Sequence, residues 1–263
     1  MTALAPQEES EIKWAPAPYN LEPGTEEIHV FCASLDLDAS RLAHLALALS
    51  EDERARAERF RFNKDRARFV ASRGLLRELL GWLLRVESNR LAFSYAARGK
   101  PALAEPASGQ SLCFNLAHAG SLAVYAVARE HEVGVDLEHF RTIEGAESFA
   151  ERYFSQRELA DWRSVPHSQR MEAFFNCWTR KEACLKAIGC GIGDSLSRIE
   201  VSLIPGQPTR FLGMIGDSQA PAHWLLQPLT PAPAYVGALA AERGRHLQVH
   251  CWKWQVKEWA TMD

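Results

Sequence analysis

Six cysteines, at positions 32, 113, 177, 184, 190 and 251, include no Cys-x-x-Cys pair and no Cys/His spacing of the zinc-site kind. A chain of 263 residues buries enough apolar surface to do without disulfide staples. Reduced thiols in a cytoplasm are therefore expected. No apolar run approaches membrane-spanning length, and the opening stretch MTALAPQEESEIKWAPAPYN carries Glu and Pro where a secretory signal has a basic start and an apolar middle. Neither a membrane partner nor export is expected. An excess of positive charge is missing too: 30 Lys and Arg stand against 33 Asp and Glu, a formal charge of -3. That balance argues against a globally basic nucleic-acid binder, although local patches can still attract phosphate. No P-loop, nucleophile elbow or His-Glu-x-x-His metal motif occurs. The glycine-rich GCGIG at 189–193 follows a long helical pattern, whereas a dinucleotide loop must open a helix, so it reads as a helix stop.

Hydrophobic periodicity supplies what the chain does contain. A strand is expected at Ile28 to Leu35, then helices at about 38–49, 51–61 and 63–84, then strands at about 91–96, 111–116 and 121–128. The order recurs from Glu132: a strand through Leu137, helices at about 146–153, 156–163 and 168–188, then strands at about 197–204, 209–214, 234–241 and 247–254. Sliding the chain against itself by 105 positions sets Glu27 over Glu132, Val30 over Val135, Ser50 over Ser155, Glu53 over Glu158 and Phe69 over Phe174. Both Ser-x-x-Glu tetrads have the form of a helix-opening capping box. The expected architecture is α+β, with a loose extension over residues 1–25 and two similar halves, 26–130 and 131–256. Duplicated halves would pack about a pseudo-twofold axis with a cleft between them.

The stretch VGVDLE at 133–138 puts Asp136 and Glu138 on one face of a strand and Val135 and Leu137 on the other. Two neighbouring carboxylates repel and raise each other's pKa unless a cation cancels the charge, and Mg²⁺ with oxygen ligands would do so. An isolated Asp-x-Glu is equally the pattern of a solvated strand end. At the 105 offset, however, the partners are Phe31 and Ala33, so only one copy carries the acids. In FFNCWTRKEACLKAIG, Trp178, Glu182 and Lys186 fall at i, i+4 and i+8 along one helix face beside the apolar Phe174, Phe175 and Cys177. Glu182 and Lys186 alone could be a surface ion pair; with Asp136 and Glu138, Glu182 could complete a three-carboxylate site. From Arg54 to Arg77 the chain is rich in arginine, partly offset by Glu53, Glu58 and Asp65, and most of this is a solvated face. FNLAHAGS at 114–121 reads as a turn with Asn115 and His118 at its tip.

Together these segments resemble the 4'-phosphopantetheinyl transferases, in particular the larger Sfp-type group whose single chain folds as two similar halves. The resemblance rests on RGKPAL at 98–103, FNLAHAG at 114–120, GVDLE at 134–138 and WTRKEACLKAIG at 178–189, in the family's order and spacing over roughly 50–204. It implies transfer of the phosphopantetheine arm of coenzyme A to a serine of an apo acyl or peptidyl carrier protein, with release of adenosine 3',5'-bisphosphate, by a monomer. It implies Mg²⁺ ligands at Asp136, Glu138 and Glu182, with Glu182 also the candidate base, directly or through a bound water, and Lys186 stabilising diphosphate charge. His118 and Lys100 match phosphate-contacting positions. Arg54, Arg56 and Arg68 lie where the family places basic contacts to the coenzyme A phosphates. Glu158 matches a family glutamate, although the capping box gives it a structural role instead. One departure is clear: the serines flanking the family's histidine are Ala117 and Ala119 here, so any hydroxyl contact they make is missing and an altered coenzyme A affinity is expected. Two other classes stay open: a coenzyme A or nucleotide-binding module without chemistry, and a Mg²⁺-dependent phosphohydrolase using the same carboxylates.

Overall fold

The computed structural model describes residues 12–95, 99–104, 112–189, 196–244 and 246–254. The first part of the chain runs β1 (Trp14–Pro16), β2 (Glu27–Ser34), α1 (Ala39–Ala48), α2 (Glu51–Glu58), α3 (Asn63–Leu84), β3 (Phe93–Tyr95), β4 (Pro101–Leu103), β5 (Cys113–Ala119) and β6 (Leu122–Ala128). The order then recurs as β7 (Val133–His139), α4 (Ala146–Tyr153), α5 (Gln156–Ser164), α6 (Arg170–Ile188), β8 (Ile199–Val201), β9 (Phe211–Met214), α7 (Ala220–His223), β10 (Trp224–Leu229) and β11 (Tyr235–Glu242). The last strand is β12 (Gln248–Lys253). The fold is α+β, as expected.

Two sheets face each other. One has five strands in the order β1-β12-β2-β6-β5, the other three in the order β10-β11-β7. Alternation along the strands decides what each face buries. Odd-numbered residues of β7 (Val133, Val135, Leu137) meet Ile28, Val30, Val124 and Ala126 in an apolar seam between the sheets. On its far face the five-stranded sheet packs against α1 and α3, whose Leu75, Leu76, Leu79 and Leu80 are wholly buried against Phe31 and Tyr125. Each such leucine contributes about 1.5–3 kcal/mol of transfer free energy. On the far face of the smaller sheet, α6 lies over β11 and β7, with Phe174, Phe175 and Leu185 in that core. The result is four layers: helices, sheet, sheet, helices.

Both Ser-x-x-Glu tetrads form capping boxes, at Ser50/Glu53 opening α2 and Ser155/Glu158 opening α5. In each the glutamate also reaches a cation on the following long helix. Glu53 accepts from Arg73 at 2.8 Å and Arg77 at 2.6 Å, and Glu158 meets Lys181 at 2.5 Å. Glu158 is completely buried and takes the Val201 N–H at 2.9 Å, so its role here is structural.

Three expectations change. The described part of the supposed extension is not loose: β1 adds to the sheet edge beside β12, with Trp14 opposite Cys251, and Glu22 pairs with Arg85. The strand near 247–254 does not stay with the second half, because β12 inserts between β1 and β2 of the first sheet. FNLAHAGS is mostly strand, and the turn is confined to Gly120 and Ser121.

Candidate active site

Strand β7 and helix α6 make the centre of the site. Gly134, Asp136 and Glu138 share the face of β7 opposite the inter-sheet seam, and α6 lies directly on it. A Cβ at Gly134 would stand 2.1 Å from the Ala183 carbonyl oxygen and 2.3 Å from the Ala187 nitrogen. Only glycine lets the helix come this close. That approach brings Lys186 to Asp136: its ammonium donates to Oδ1 at 2.8 Å and to the Val135 carbonyl at 3.0 Å. Glu182, one turn earlier on α6, is 4% exposed.

The electrostatics follow from that burial. Asp136 is pushed above the usual carboxylate range, first by burial, with the Glu138 charge adding and Lys186 opposing. Glu182 is raised to about 7, by burial first and then by the charge of Asp136, with Glu138 adding to it. One oxygen of each, Asp136 Oδ2 and Glu182 Oε1, is buried without a hydrogen-bond partner. Two unpartnered carboxylate oxygens are donors of the type Mg²⁺ takes, so the residues suit a hard divalent ion. Glu138 points elsewhere, to Arg141 at 2.7 Å. Among the described residues no three His, Cys, Asp or Glu side chains form a closed ion-binding group. Asp136 and Glu182 thus have the unpartnered oxygens that could hold such an ion, and Glu138 would have to leave Arg141 to join them.

The basic side is only partly assembled around this centre. His118 is exposed near the end of β5, opposite Ala123. Shielding by its surroundings, then the charges of Lys186 and Arg68, lower its pKa. Arg68 is half-buried on α3 and bonded to Asp36 at 3.1 Å. Lys100 is already engaged: its ammonium meets Glu132 at 2.7 Å and the Val133 and Ala187 carbonyls at 3.2 Å, tying the start of β7 to the end of α6. Arg54 bonds the Leu49 carbonyl at 2.7 Å, and Arg56 lies over the Phe69 ring at 5.4 Å. Neither bonds to the carboxylates or to His118. Arg56 instead lines a shallow depression of about 580 Å³ with Asp52, Ala55, Arg59 and Phe60.

Two contributors to the site were not singled out from sequence. Gly134 carries no side chain to attract notice. Asn115, read as a turn residue, is buried in mid-strand, where its Oδ1 accepts the Val135 N–H at 3.0 Å, next to Asp136. Its place in FNLAHAG was the available signal. The expectation about the missing serines is also revised. Alternation puts Ala117 and Ala119 on the face of β5 opposite His118, in the seam between the sheets, and Ala117 is 6% exposed. A hydroxyl at 117 would enter an apolar core, so an altered coenzyme A affinity no longer follows from that replacement.

Residues 132–240 match the model of the 4'-phosphopantetheinyl transferase superfamily, and residues 38–130 match that of the 4'-phosphopantetheinyl transferase N-terminal region. The chain belongs to this family and is a phosphopantetheinyl transferase. It is 42% identical over 246 residues to the 4'-phosphopantetheinyl transferase HetI of Nostoc sp., covering 94% of this chain and 97% of that one. A putative 4'-phosphopantetheinyl transferase of Synechocystis sp. is 35% identical, over 69% of this chain and 72% of its own. The 4'-phosphopantetheinyl transferase psf-1 of Bacillus pumilus is 34% identical, over 74% and 79%. Among the described residues no helix is long and apolar enough to cross a membrane.

Proposed function

We propose that this transferase moves the phosphopantetheine arm of coenzyme A onto a serine of an apo acyl or peptidyl carrier protein, as a cytoplasmic monomer, with Mg²⁺ held by Asp136, Glu182 and Glu138. The observation that carries the metal assignment is the pair of buried carboxylate oxygens without partners, Asp136 Oδ2 and Glu182 Oε1. Buried anionic oxygens of this kind favour a cation. Mg²⁺ at that position would neutralise the coenzyme A diphosphate and the charge that builds on the leaving oxygen.

The protein groups divide the remaining work. Glu182 is the candidate to take the serine hydroxyl proton, directly or through a metal-bound water. The serine oxygen then bonds to the phosphorus of the phosphopantetheine, and the bond from that phosphorus to adenosine 3',5'-bisphosphate breaks. Lys186, fixed by Asp136 and the Val135 carbonyl, places its positive charge where the leaving diphosphate oxygen gains negative charge. His118 and Arg68 hold phosphate oxygens on the α3 side, with Lys100, Arg54 and Arg56 as further basic contacts to coenzyme A. The carboxylates and the basic groups come from the two recurring parts of one chain. That supports two halves about a pseudo-twofold axis with the substrate in the cleft, and a single copy as the working unit.

Incubation with coenzyme A, Mg²⁺ and a panel of apo carriers should add the mass of one phosphopantetheine arm to a carrier. Chelation of the metal, or Asp136→Ala, should abolish the gain. No gain with any carrier sinks the proposal. Release of phosphopantetheine into water without a carrier would point to a phosphohydrolase. Coenzyme A binding indifferent to Mg²⁺ and to Glu182→Gln would point to a binding module.

A further inference from the structure

We propose that Tyr235 is a positioning residue for His118, acting through the β5–β6 turn; the inference rests on the reading of His118 as a phosphate contact. The turn has two residues, Gly120 and Ser121, and is gripped from both sheets. From β11, the Tyr235 hydroxyl accepts the Ser121 N–H at 3.1 Å and lies 3.1 Å from the Ser121 hydroxyl. From the end of β2, the Leu35 N–H donates to the Ser121 carbonyl at 2.7 Å. Gly120 has φ +54°, and a Cβ there would stand 2.6 Å from the Tyr235 oxygen. The seated hydroxyl therefore requires a glycine at 120.

His118 stands between two such ties. Three residues to one side, Asn115 takes the Val135 N–H at 3.0 Å; three residues to the other, Ser121 meets Tyr235. Both ties cross from the five-stranded sheet to the sheet that carries Asp136. They are needed because β5 is an edge strand, paired among the described residues only with β6. An edge held on one side is free to shift relative to the neighbouring sheet, and a shift of His118 changes its distance to groups on β7 and α6.

The position of Tyr235 is itself imposed. The residue before it, Ala234, has φ +63°, a left-handed conformation that residues with a β-carbon seldom take. The Ala234 carbonyl is fixed by the Phe140 N–H at 2.8 Å, and the Tyr235 ring sits edge-on to His139 with centroids 4.8 Å apart. The ring fills the apolar seam, and a phenylalanine would fill it as well. What the hydroxyl adds is the link to Ser121.

Tyr235→Phe removes that link and keeps the ring. The expected result is a melting temperature near wild type and a coenzyme A KM raised roughly five- to tenfold, the usual scale for one lost hydrogen bond, with the carrier KM unchanged. Ser121→Ala, which keeps the backbone donor, should stay close to wild type. If Tyr235 acts through His118, the two substitutions must not add: Tyr235→Phe combined with His118→Ala should show the KM of His118→Ala alone. Additive effects, a wild-type KM in Tyr235→Phe, or loss of the fold in Tyr235→Phe each overturn the inference. A wild-type KM in His118→Ala overturns both the inference and the role of His118. Failure of the whole transferase reading looks different, because the wild-type protein would then modify no carrier.

Discussion

Replacing Gly134 by alanine adds one methyl group where the structure has no room for it. The new carbon would lie 2.1 Å from the Ala183 carbonyl oxygen and 2.3 Å from the Ala187 nitrogen, both backbone atoms of α6. Ordinary contact begins near 3.4 Å, so strand and helix must separate by about 1 Å or more, since helical backbone cannot rotate aside as a side chain can. Overpacking of this kind costs about 1–3 kcal/mol, and in a protein of this size each kcal/mol lowers the melting temperature by roughly 2–4 °C. The effect on catalysis should be larger. Lys186 meets Asp136 at 2.8 Å across this contact, and Glu182 is one turn away on the same helix. Misplacing reacting groups by about 1 Å costs on the order of 100-fold in rate. The assay is carrier modification followed by mass spectrometry alongside a thermal melt, with Gly213→Ala as the control, since a Cβ there meets only a Glu200 oxygen at 3.8 Å. Gly134→Ala with wild-type turnover would refute the idea that close approach of α6 to β7 assembles the site.

Two further predictions concern packing and pH. Ala117→Ser should lower the melting temperature, because a hydroxyl enters the apolar seam at a cost of about 1–3 kcal/mol, and should leave the coenzyme A Kd unchanged; a tighter Kd would show that position 117 reaches the ligand after all. His29 gives the pH dependence: the Trp252 indole N–H donates to its Nδ1 at 3.0 Å, so Nε2 carries the proton toward Glu27 at 3.1 Å. Burial holds its pKa below the usual value of 6.5, despite Glu27. As pH falls below about 6.5 the unfolded chain takes up this proton first, so stability present above that pH is lost on the way down to the folded-state pKa, at up to about 1.4 kcal/mol per pH unit. Urea unfolding at several pH values should show this slope in the wild type and lose it in His29→Gln; equal slopes would refute it.

Long periodic elements were the legible part of the fold. The bounds of α3 and α4 agree with those read from periodicity, although α3 is buried nearly all round from Ala71 to Leu84 and α4 only at Ala150. β1 and β10 escaped notice for a shared reason: each lies at a sheet edge and contains a proline, Pro16 and Pro228, a residue that argues against a strand unless one side needs no partner. β12 carried no sign of its destination, since period-two alternation does not say which sheet a strand joins. At the site, the shared face of Asp136 and Glu138 and the i, i+4 spacing of Glu182 and Lys186 could be read locally. Gly134 and Tyr235 could not, because each acts where elements far apart in the chain meet; Asn115 could be named from its motif, but as a turn residue rather than as the partner of Val135.

One consequence of the geometry concerns how the site waits for substrate. With Lys186 on Oδ1 of Asp136 and Arg141 on Glu138, two of the three carboxylates already have cationic partners, while Glu182 is raised to about 7. The site therefore limits its own internal repulsion without an ion, which lets β7 and α6 pack tightly in the free protein. Arrival of a diphosphate changes the balance. A diphosphate beside Lys186 would share the ammonium with Asp136 and leave more carboxylate charge to be neutralised. Metal and coenzyme A should consequently bind with positive coupling, each raising the affinity for the other by the same factor.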